Sequence, residues 1–400
     1  MDNDKLDLIL LTGLLRDGGA EVIATNLIAN LPTFISKEII VRKKSPHQDQ
    51  PKNASSSLTQ VLSRVIRKLP PPIKEILNIC YLLPDVVKYI CTLRKKQPSI
   101  SLSVSCADNL INVISCLFCK TKPILSCHYI PSQYNVCGGY VMNKLTYSIA
   151  RLSRVDIIAV SNSVSEDLRR YYHVSNKHIH VIYNPIDLRN VQIKSTNNVF
   201  DSHININSPF IITVGRLNNV KGQWHIIRAF SELRKRFECQ LIICGDGPEM
   251  DYLSKLVKDL KIEEDVVFLG WQDNPYKYMK RAKLLAHSSL SESFGNVIVE
   301  AMACGCPSVV ARCSPAIEEV MGSDSSCGFI SEKMSGIRYA STTPLDSGET
   351  DLLKKMVMIL TDDELHRKMS LACVEHAKEF DVDVGIQKYV ELIEKVANIP

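Results

Sequence analysis

The sequence predicts an α/β protein of two Rossmann-like, parallel-sheet domains facing a cleft, and three observations carry this prediction. At 400 residues the chain is long for one hydrophobic core, which favours two domains. Short apolar runs alternate with helical patterns along the whole chain, as in parallel α/β proteins. A polar stretch over residues 188–208 separates two such series and would link them. The carboxyl ends of both sheets would then border the cleft.

The first series is predicted to form a domain over residues 1–185. Its strands are expected at residues 6–11, 39–41, 124–126, 157–160 and 180–183. Its helices include residues 20–30 and 164–172, the latter with Ser161 and Ser163 as candidate N-caps. Residues 43–57 are expected to be a surface loop, and residues 58–96 have the pattern of inserted basic amphipathic helices.

The second series is predicted to form a domain over residues 186–380. Its strands are expected at residues 210–214, 240–244, 266–269, 284–286 and 307–311, with helices of ordinary length between them. The final segment, residues 381–400, is expected to be a helix that returns to the first domain.

Composition limits the class of protein. Hydrophobic residues make up 45% and charged residues 23%, which excludes a wholly disordered or fibrous chain. No apolar run reaches the roughly 20 residues of a membrane span, and the acidic N-terminus is unlike a signal peptide. Most of the 14 cysteines lie singly in apolar segments, as reduced thiols of cytosolic proteins do. Cys116 and Cys119 form a lone CxxC pair, which is expected to be buried in a helix rather than to bind zinc.

The net charge of +5 is unevenly divided along the chain. Residues 1–190 hold 24 Lys and Arg against 14 Asp and Glu, whereas residues 191–400 hold 24 against 29. The excess concentrates at Arg64, Arg67, Lys68, Lys74, Lys88, Arg94, Lys95 and Lys96. Such a segment could bind nucleic acid or an anionic membrane surface, or form a solvated helical face. Because it lacks interleaved aromatic residues and a recognition motif, nucleic acid is not the expected partner.

Arg216 and Lys221 lie five positions apart in a loop that begins with Gly215, between a predicted strand and a predicted helix. Arginine offers phosphate oxygens a planar fork, and lysine adds a mobile point charge. The pair suits a diphosphate, although two surface cations at a loop would show the same pattern. A second turn, with Gly245 and Gly247, lacks the third glycine of a dinucleotide-binding fingerprint. We therefore expect a tight strand-to-helix turn there and no NAD site.

The segment 291–305 predicts a polar turn that leads into a helix apolar on nearly all sides. Gly295 would let a ligand approach the backbone, and the N–H groups of the first helical turn would attract an anion. Glu300 lies about one turn inside this helix and Glu292 precedes it, so the two carboxylates could hold different parts of one extended ligand. Alternatively, Glu300 is a core carboxylate paired with Lys or Arg, and Glu292 is a helix-capping acid.

Together these motifs resemble those of the retaining glycosyltransferases of family 4, which have the two-domain GT-B fold. Glu292 and Glu300 match the family's E-x7-E signature, with Ser-Phe-Gly after the first acid. The segments 18–21, 184–187, 215–222, 270–275 and 303–307 also occur in the family's order. The segment 313–318 departs from the family's usual Gly-Gly-x-Pro-Glu run.

The resemblance implies a role for each matching residue. Arg216 and Lys221 would hold the phosphates of the donor, and Gly19 would close over the diphosphate. Glu300 would accept hydrogen bonds from ribose hydroxyls, and Glu292 from hydroxyls of the transferred sugar. Backbone amides at the start of the buried helix would contact the phosphates or the sugar, namely those of Phe294, Gly295, Asn296 and Val297.

His128 follows a predicted strand and matches the place of a family histidine near the sugar, although a lone histidine is more often structural. Together with Glu292, Arg216 and Lys221, His128 would make up the catalytic set. Cleavage of the anomeric bond leaves extra negative charge on the diphosphate, which the cations and the helix start would stabilise without a metal. Retention could proceed through a covalent intermediate or through front-face displacement, which the resemblance favours.

The resemblance also implies substrates and a place in the cell. We expect a nucleotide-diphosphate sugar as donor, with a UDP-sugar favoured, and neither a cofactor nor a metal. The acceptor would be a polyprenyl-linked glycan of a surface polysaccharide such as O-antigen, capsule or lipopolysaccharide. The protein would be cytoplasmic, with residues 64–96 docked on the inner face of the cytoplasmic membrane. The alternatives are a GT-B epimerase, which would hydrolyse the donor without an acceptor, and a non-catalytic scaffold.

Overall fold

The computed structural model describes residues 6–13, 19–42, 77, 79–133, 139–199, 204, 208–322 and 324–398. The chain forms two compact units, one of residues 1–185 together with 382–400 and the other of residues 186–381. Each unit holds a six-stranded parallel sheet with helices, which confirms the predicted two-domain α/β, Rossmann-like fold class. The second crossing between the units follows residue 381, one residue later than the expected boundary.

The first unit is built on a sheet with the strand order β2-β1-β3-β4-β5-β6. Its strands are β1 (Leu6–Thr12), β2 (Ile35–Val41), β3 (Ile100–Ser103), β4 (Lys122–Cys127), β5 (Asp156–Ala159) and β6 (Ile179–Val181). Its helices are α1 (Gly19–Asn30), α2 (Leu83–Lys96), α3 (Cys106–Cys116), α4 (Gly139–Leu152) and α5 (Asn162–Tyr172). Ser161 caps α5, because its hydroxyl accepts a hydrogen bond from the Val164 N–H; Ser163 is not the cap.

The second unit has the strand order β12-β11-β10-β7-β8-β9. Its strands are β7 (Phe210–Val214), β8 (Gln240–Cys244), β9 (Val266–Gly270), β10 (Leu284–His287), β11 (Ser308–Ala311) and β12 (Gly328–Ser331). Its helices begin with α6 (Leu188–Ser195), α7 (Gln223–Arg234), α8 (Met250–Asp259) and α9 (Tyr276–Met279). They continue with α10 (Asn296–Ala303), α11 (Pro315–Met321), α12 (Ser347–Thr361) and α13 (Asp363–Ala377). Because β7 and β10 are paired in parallel, the loops that follow them lie side by side.

The last helix, α14 (Val382–Ala397), belongs to the first unit, although the whole second unit precedes it in the chain. Its residues Ile386 and Tyr389 are buried in one core with Leu8 and Leu10 of β1. The alternate β1 residues face a second core against α2 and α3. Helices therefore cover both faces of this sheet, as the continuous apolar strands require.

Several elements differ from the sequence prediction. β2 begins four residues earlier than expected, and neither β3 nor β12 was expected. In β3 the serines are buried, and their hydroxyls donate to side-chain oxygens, Ser101 to Asn112 at 2.6 Å and Ser103 to Asn109 at 2.7 Å. These internal partners let polar residues occupy a core strand. The predicted link over 188–208 is not wholly irregular, because it begins with α6.

The predicted basic insertion is only partly covered by the structure. The expected surface loop 43–57 and residues 58–76 lie outside the described residues, with Arg64, Arg67, Lys68 and Lys74 among them. The last part of the insertion forms α2, which ends in Arg94, Lys95 and Lys96. Among the described residues, no helix combines the length and apolarity needed to cross a membrane.

The CxxC thiols lie where α3 packs against α2. The buried Cys116 thiol donates to Asn112 Oδ1 over 3.3 Å, and the half-buried Cys119 thiol donates to the Ile90 carbonyl over 3.9 Å. Burial raises the pKa of Cys116 well above its usual value, so this thiol stays protonated at neutral pH. The arrangement is that of packed thiols bonded to protein oxygens.

Candidate functional site

The loop after β7 carries both predicted phosphate-binding cations. It turns at Gly215, exposes Arg216, and ends in a short 3-10 turn that Asn218 caps by accepting the Lys221 N–H. Ser288, in the loop after β10, donates its hydroxyl to the Lys221 carbonyl over 3.1 Å. The loops of the two paired strands are therefore fastened to each other.

The glycine turn after β8 supports this loop from the other side. A Cβ on Gly245 would lie 2.0 Å from the Gly215 carbonyl oxygen, and one on Gly247 would lie 2.3 Å from that of Leu217. The Leu217 N–H donates to the Asp246 carbonyl over 2.9 Å. The two glycines are thus required by backbone packing, as expected for a tight strand-to-helix turn.

Lys221, Glu292 and His287 meet at the carboxyl edge of β7 and β10. The Lys221 ammonium lies 2.5 Å from Oε1 of Glu292, and Nε2 of His287 lies 2.9 Å from the same oxygen. The Glu292 side chain is 11% exposed. Burial by itself would raise the pKa of Glu292, but the Lys221 charge and the His287 hydrogen bond lower it well below its usual value. Glu292 is therefore held ionised, and it does not cap α10, whose N-cap is Gly295.

α10 starts beside this cluster. Gly295 adopts a left-handed conformation (φ 100°), which turns the chain from the loop into the helix at Asn296 and Val297. Phe294 is buried and packs edge-to-face on Phe380 with ring centroids 5.6 Å apart. The sequence-predicted ligand amides, those of residues 294–297, thus span the loop end and the first turn of α10, where a helix offers N–H groups to anions.

Glu300 lies one turn inside α10, as the sequence predicted. Its side chain is partly buried, and burial raises the pKa of Glu300 to about 7, although a hydrogen bond with Tyr276 of α9 opposes the rise. This partner is a phenol rather than the Lys or Arg of the alternative interpretation. The Glu300 carboxyl group therefore changes its protonation state near neutral pH.

The other two predicted site residues belong to the first unit. Gly19 is the first residue of α1. His128 follows β4, and its Nε2 lies 2.9 Å from the Ser126 hydroxyl. Burial lowers the pKa of His128 to about 4, although a hydrogen bond with Asn184 opposes the shift. His128 is therefore a neutral imidazole at pH 7.

One group among the described residues has the spacing of a metal site. Ligand atoms of His225, Asp346 and Glu349 lie within 4.8 Å of one another. However, Nε of Arg228 lies 2.9 Å from the same Glu349 oxygen that bonds to His225 Nδ1 at 2.8 Å. Arg228 already supplies the positive charge, so these residues form a buried ion pair that ties α7 to α12.

Two family sequence models match successive parts of the chain. The model described as Glycosyltransferase Family 4 matches residues 17–190, and the model described as Glycosyl transferases group 1 matches residues 194–339. The chain belongs to the family 4-like glycosyltransferases. The resemblance inferred from the E-x7-E signature and the accompanying motifs is thereby confirmed.

Curated relatives extend this match. The chain is 30% identical over 263 residues to a Campylobacter jejuni protein named N-acetylgalactosamine-N,N'-diacetylbacillosaminyl-diphospho-undecaprenol 4-alpha-N-acetylgalactosaminyltransferase. It is also 30% identical over 229 residues to N-acetyl-alpha-D-glucosaminyl L-malate synthase of Bacillus anthracis. The aligned regions cover 66% and 56% of this chain, and 64% and 54% of the two relatives. The chain therefore spans less than two thirds of the length of either relative.

Solved structures share the fold. Sucrose-phosphate synthase from Thermosynechococcus elongatus superposes with a TM-score of 0.75 at 17% identity, over 99% of this chain and 100% of that one. Anabaena HepE in complex with UDP and glucose gives a TM-score of 0.72 at 20% identity, over 98% and 100%. These likenesses identify the fold of this chain.

Sequence reasoning missed three residues of the site. His287 and Tyr276 supply the hydrogen bonds to Glu292 and Glu300, and Ser314 donates to the Glu292 carbonyl over 2.6 Å. His287 left a signal, since it is a polar residue at the end of an apolar strand run. The other two could be recognised only after the chain was folded.

Proposed function

We propose that the protein is a retaining glycosyltransferase that moves a sugar from a nucleotide-diphosphate sugar, with a UDP-sugar favoured, to a lipid-linked glycan. One observation carries the proposal: Lys221 and Glu292 meet at the carboxyl edge of β7 and β10, where α10 begins. A cation suits the phosphates, and an ionised carboxylate accepts hydrogen bonds from sugar hydroxyls. Family membership and relatives named as transferases support this assignment.

The chemistry follows from where charge develops. Cleavage of the anomeric bond adds negative charge to the diphosphate and leaves an oxocarbenium-like sugar. Arg216, Lys221 and the start of α10 would stabilise the departing diphosphate, and this scheme needs no metal. Loss of one such preorganised donor costs on the order of 10²–10³ in rate in other enzymes.

The state of Glu292 favours front-face displacement over a covalent intermediate. A carboxylate nucleophile needs a lone pair to attack the anomeric carbon. Lys221 and His287 bond to Oε1 and leave Oε2 outside their contacts, but the lowered pKa makes the whole Glu292 carboxylate a weak base and therefore a poor nucleophile. Such a group is well suited to orient sugar hydroxyls. In the proposed reaction the departing phosphate oxygen takes the proton of the acceptor hydroxyl on the face that it leaves.

Glu300 and His128 complete the proposed assignment. An ionised Glu300 would accept hydrogen bonds from two ribose hydroxyls. These bonds would take the place of hydrogen bonds from water, which burial restricts. His128, neutral at pH 7, would exchange a hydrogen bond with the transferred sugar rather than supply charge. The diphosphate could come close to the backbone of Gly19, because glycine has no side chain.

The acceptor and its location are inferred from chemistry at the surface of the first unit. The Campylobacter relative is named for a diphospho-undecaprenol acceptor, and we propose a polyprenyl-linked acceptor of surface polysaccharide synthesis here. On α2, Leu83 and Val87 are 57% and 60% exposed, and the helix ends in three cations. Apolar side chains beside cations suit the anionic inner face of the cytoplasmic membrane, on which residues 64–96 would dock.

A panel of nucleotide sugars tests the proposed function. We expect one of them, a UDP-sugar first, to raise the melting temperature and to be slowly hydrolysed without acceptor. The double variant Arg216→Ala/Lys221→Ala should lose both effects. Its matched control, Lys235→Ala/Arg367→Ala, removes two cations from exposed i,i+3 pairs and should keep them. Undiminished turnover by the first variant would contradict the proposed site. Conversion of the donor to an epimeric sugar would instead favour a GT-B epimerase.

A further inference from the structure

β10 ends in a buried imidazole. Its first three residues, 284–286, are apolar and fully enclosed, whereas the fourth is His287, whose side chain is 4% exposed. A polar group enclosed in this way needs a hydrogen-bond partner. The partner is Glu292, which the chain brings back to the strand end five residues later.

Both donors to Glu292 converge on a single oxygen. His287 Nε2 lies 2.9 Å and Lys221 Nζ 2.5 Å from Oε1, whereas Oε2 takes part in neither bond. Because the carboxylate is held ionised and can only accept, Nε2 of His287 carries the hydrogen. The imidazole therefore fixes both the position of Glu292 and which of its oxygens faces away.

The two donors differ in their freedom to move. Lys221 ends a flexible four-carbon stem and is 26% exposed, whereas the His287 ring is rigid and enclosed. A phosphate that draws Lys221 away would leave Glu292 with one side-chain donor. The backbone of Glu292 is held independently, since Ser314 donates to its carbonyl over 2.6 Å.

We propose that His287 is a positioning residue that keeps Glu292 aimed at the transferred sugar while Lys221 shifts to the diphosphate. This inference rests on the proposed transferase function. His287 would therefore affect how the sugar half of the donor is held and would not affect binding of the nucleotide half. His287 touches neither donor nor acceptor and acts through Glu292 alone.

Variants of the full-length protein separate this role from simple support of the fold. His287→Leu keeps the bulk and removes the donor, and we expect kcat for donor hydrolysis to fall on the order of 10²-fold, the effect of misplacing a reactive group. The Kd for UDP alone, measured by calorimetry, should stay unchanged. His287→Gln keeps an N–H donor and should restore most of kcat. The control is His376→Leu, which removes a histidine–glutamate bond of 3.1 Å on α13 and should leave kcat unchanged.

A double-mutant cycle decides whether His287 acts through Glu292. In a Glu292→Gln background, His287→Leu should cause almost no further loss, because the group that it positions is already altered. Additive losses, or a fall in UDP affinity equal to the fall in kcat, would overturn the inference while leaving the transferase function intact. No turnover by the wild-type protein with any nucleotide sugar would overturn both.

Discussion

The Lys221 ammonium lies 2.5 Å from Oε1 of Glu292, although 71 positions separate the two residues in the sequence. The contact exists because β7 and β10 are neighbours in the sheet and each residue sits in the loop that follows its strand. In the proposed function the cation would bind phosphate and the acid would bind sugar hydroxyls, yet in this structure the two charges neutralise each other. Donor binding would then divide this pair between the two halves of one ligand.

Replacing Lys221 with methionine removes the ammonium and keeps most of the aliphatic chain. Because His287 would then be the remaining side-chain donor to Glu292 among the described residues, the free energy of unfolding at pH 7 should fall by about 1–3 kcal/mol. Urea denaturation measures this change. Lys235→Met breaks an exposed pair with Glu232 and should cost less than about 1 kcal/mol. Equal losses in the two variants would count against a structural role for the pair.

Glu300 should make stability depend on pH near neutrality. Burial raises its pKa from 4.5 to about 7, so its contribution to stability is present below pH 4.5 and is lost as the pH rises through 7. Glu300→Gln removes this titration, and its melting temperature relative to wild type should be higher at pH 8 than at pH 5. At pH 8, UDP should nevertheless bind the Glu300→Gln variant more weakly than it binds the wild-type protein. Glu375→Gln, on an exposed pair, is the control. A difference that is constant with pH would refute the expectation.

Gly245→Ala should destabilise the protein more than an alanine at another glycine with positive φ. At Gly245 the new Cβ would meet the Gly215 carbonyl at 2.0 Å, whereas at Gly270 (φ 66°) nothing lies within 4 Å. Gly270→Ala therefore measures backbone strain alone, about 1–3 kcal/mol, and Gly245→Ala adds the clash. Thermal melting compares them. A similar loss of thermal stability in both variants would mean that the loop after β7 can shift to accommodate the new Cβ at little energetic cost.

Breaking the buried ion pair of Arg228 and Glu349 should destabilise the protein strongly, whereas replacing both residues with apolar side chains should cost little stability. Both side chains are almost completely enclosed, and their charged atoms lie 2.9 Å apart. Arg228→Met leaves the buried Glu349 carboxylate without its arginine partner and should cost about 3–5 kcal/mol. The double variant with Glu349→Met should recover much of that loss. Arg367→Ala breaks an exposed pair and serves as the control. If the double variant is as unstable as the single one, the hydrogen bonds of Arg228 to the 340–344 segment matter more than its charge.

Vesicle binding should depend on the end of α2. Arg94→Glu/Lys95→Glu reverses two charges at the end of the helix that carries the exposed Leu83 and Val87, and it should reduce co-sedimentation with phosphatidylglycerol vesicles several-fold. Arg170→Glu/Lys177→Glu makes the same change of net charge at exposed residues of the same unit. Reduced binding in both variants would indicate a response to net charge alone. Unchanged binding in the first would argue against docking through α2.

The sequence was most informative where strands are enclosed on both faces. Five strands of the second unit, β7 to β11, match their predicted bounds to within one residue because each is a short, mostly apolar run. β3 escaped prediction because Ser101 and Ser103 interrupt its apolar pattern, and their buried partners are visible only in the folded chain. β12, with only four residues and a glycine, gives too short a signal.

Motifs located the candidate site, and the fold supplied its pairings. Local spacing predicts four site residues, namely Arg216, Lys221, Glu292 and Glu300. The strand order brings the segments that carry them to one edge of one sheet. Spacing could not reveal that Lys221 bonds to Glu292 or that Tyr276 bonds to Glu300. Those partners depend on strand order and on helix packing, which no local pattern encodes.

The position of α14 also bears on how the chain acquires its structure during synthesis. The first unit draws Ile386, Tyr389, Leu392 and Ile393 into its core from a helix that the ribosome makes after the whole second unit. The second unit, residues 186–381, is continuous in sequence, so every strand of its sheet is synthesised before α14. The core of the earlier-made unit is therefore completed only after the later unit has been synthesised, and a chain truncated before residue 382 would contain the complete second unit and a first unit with an exposed apolar sheet face.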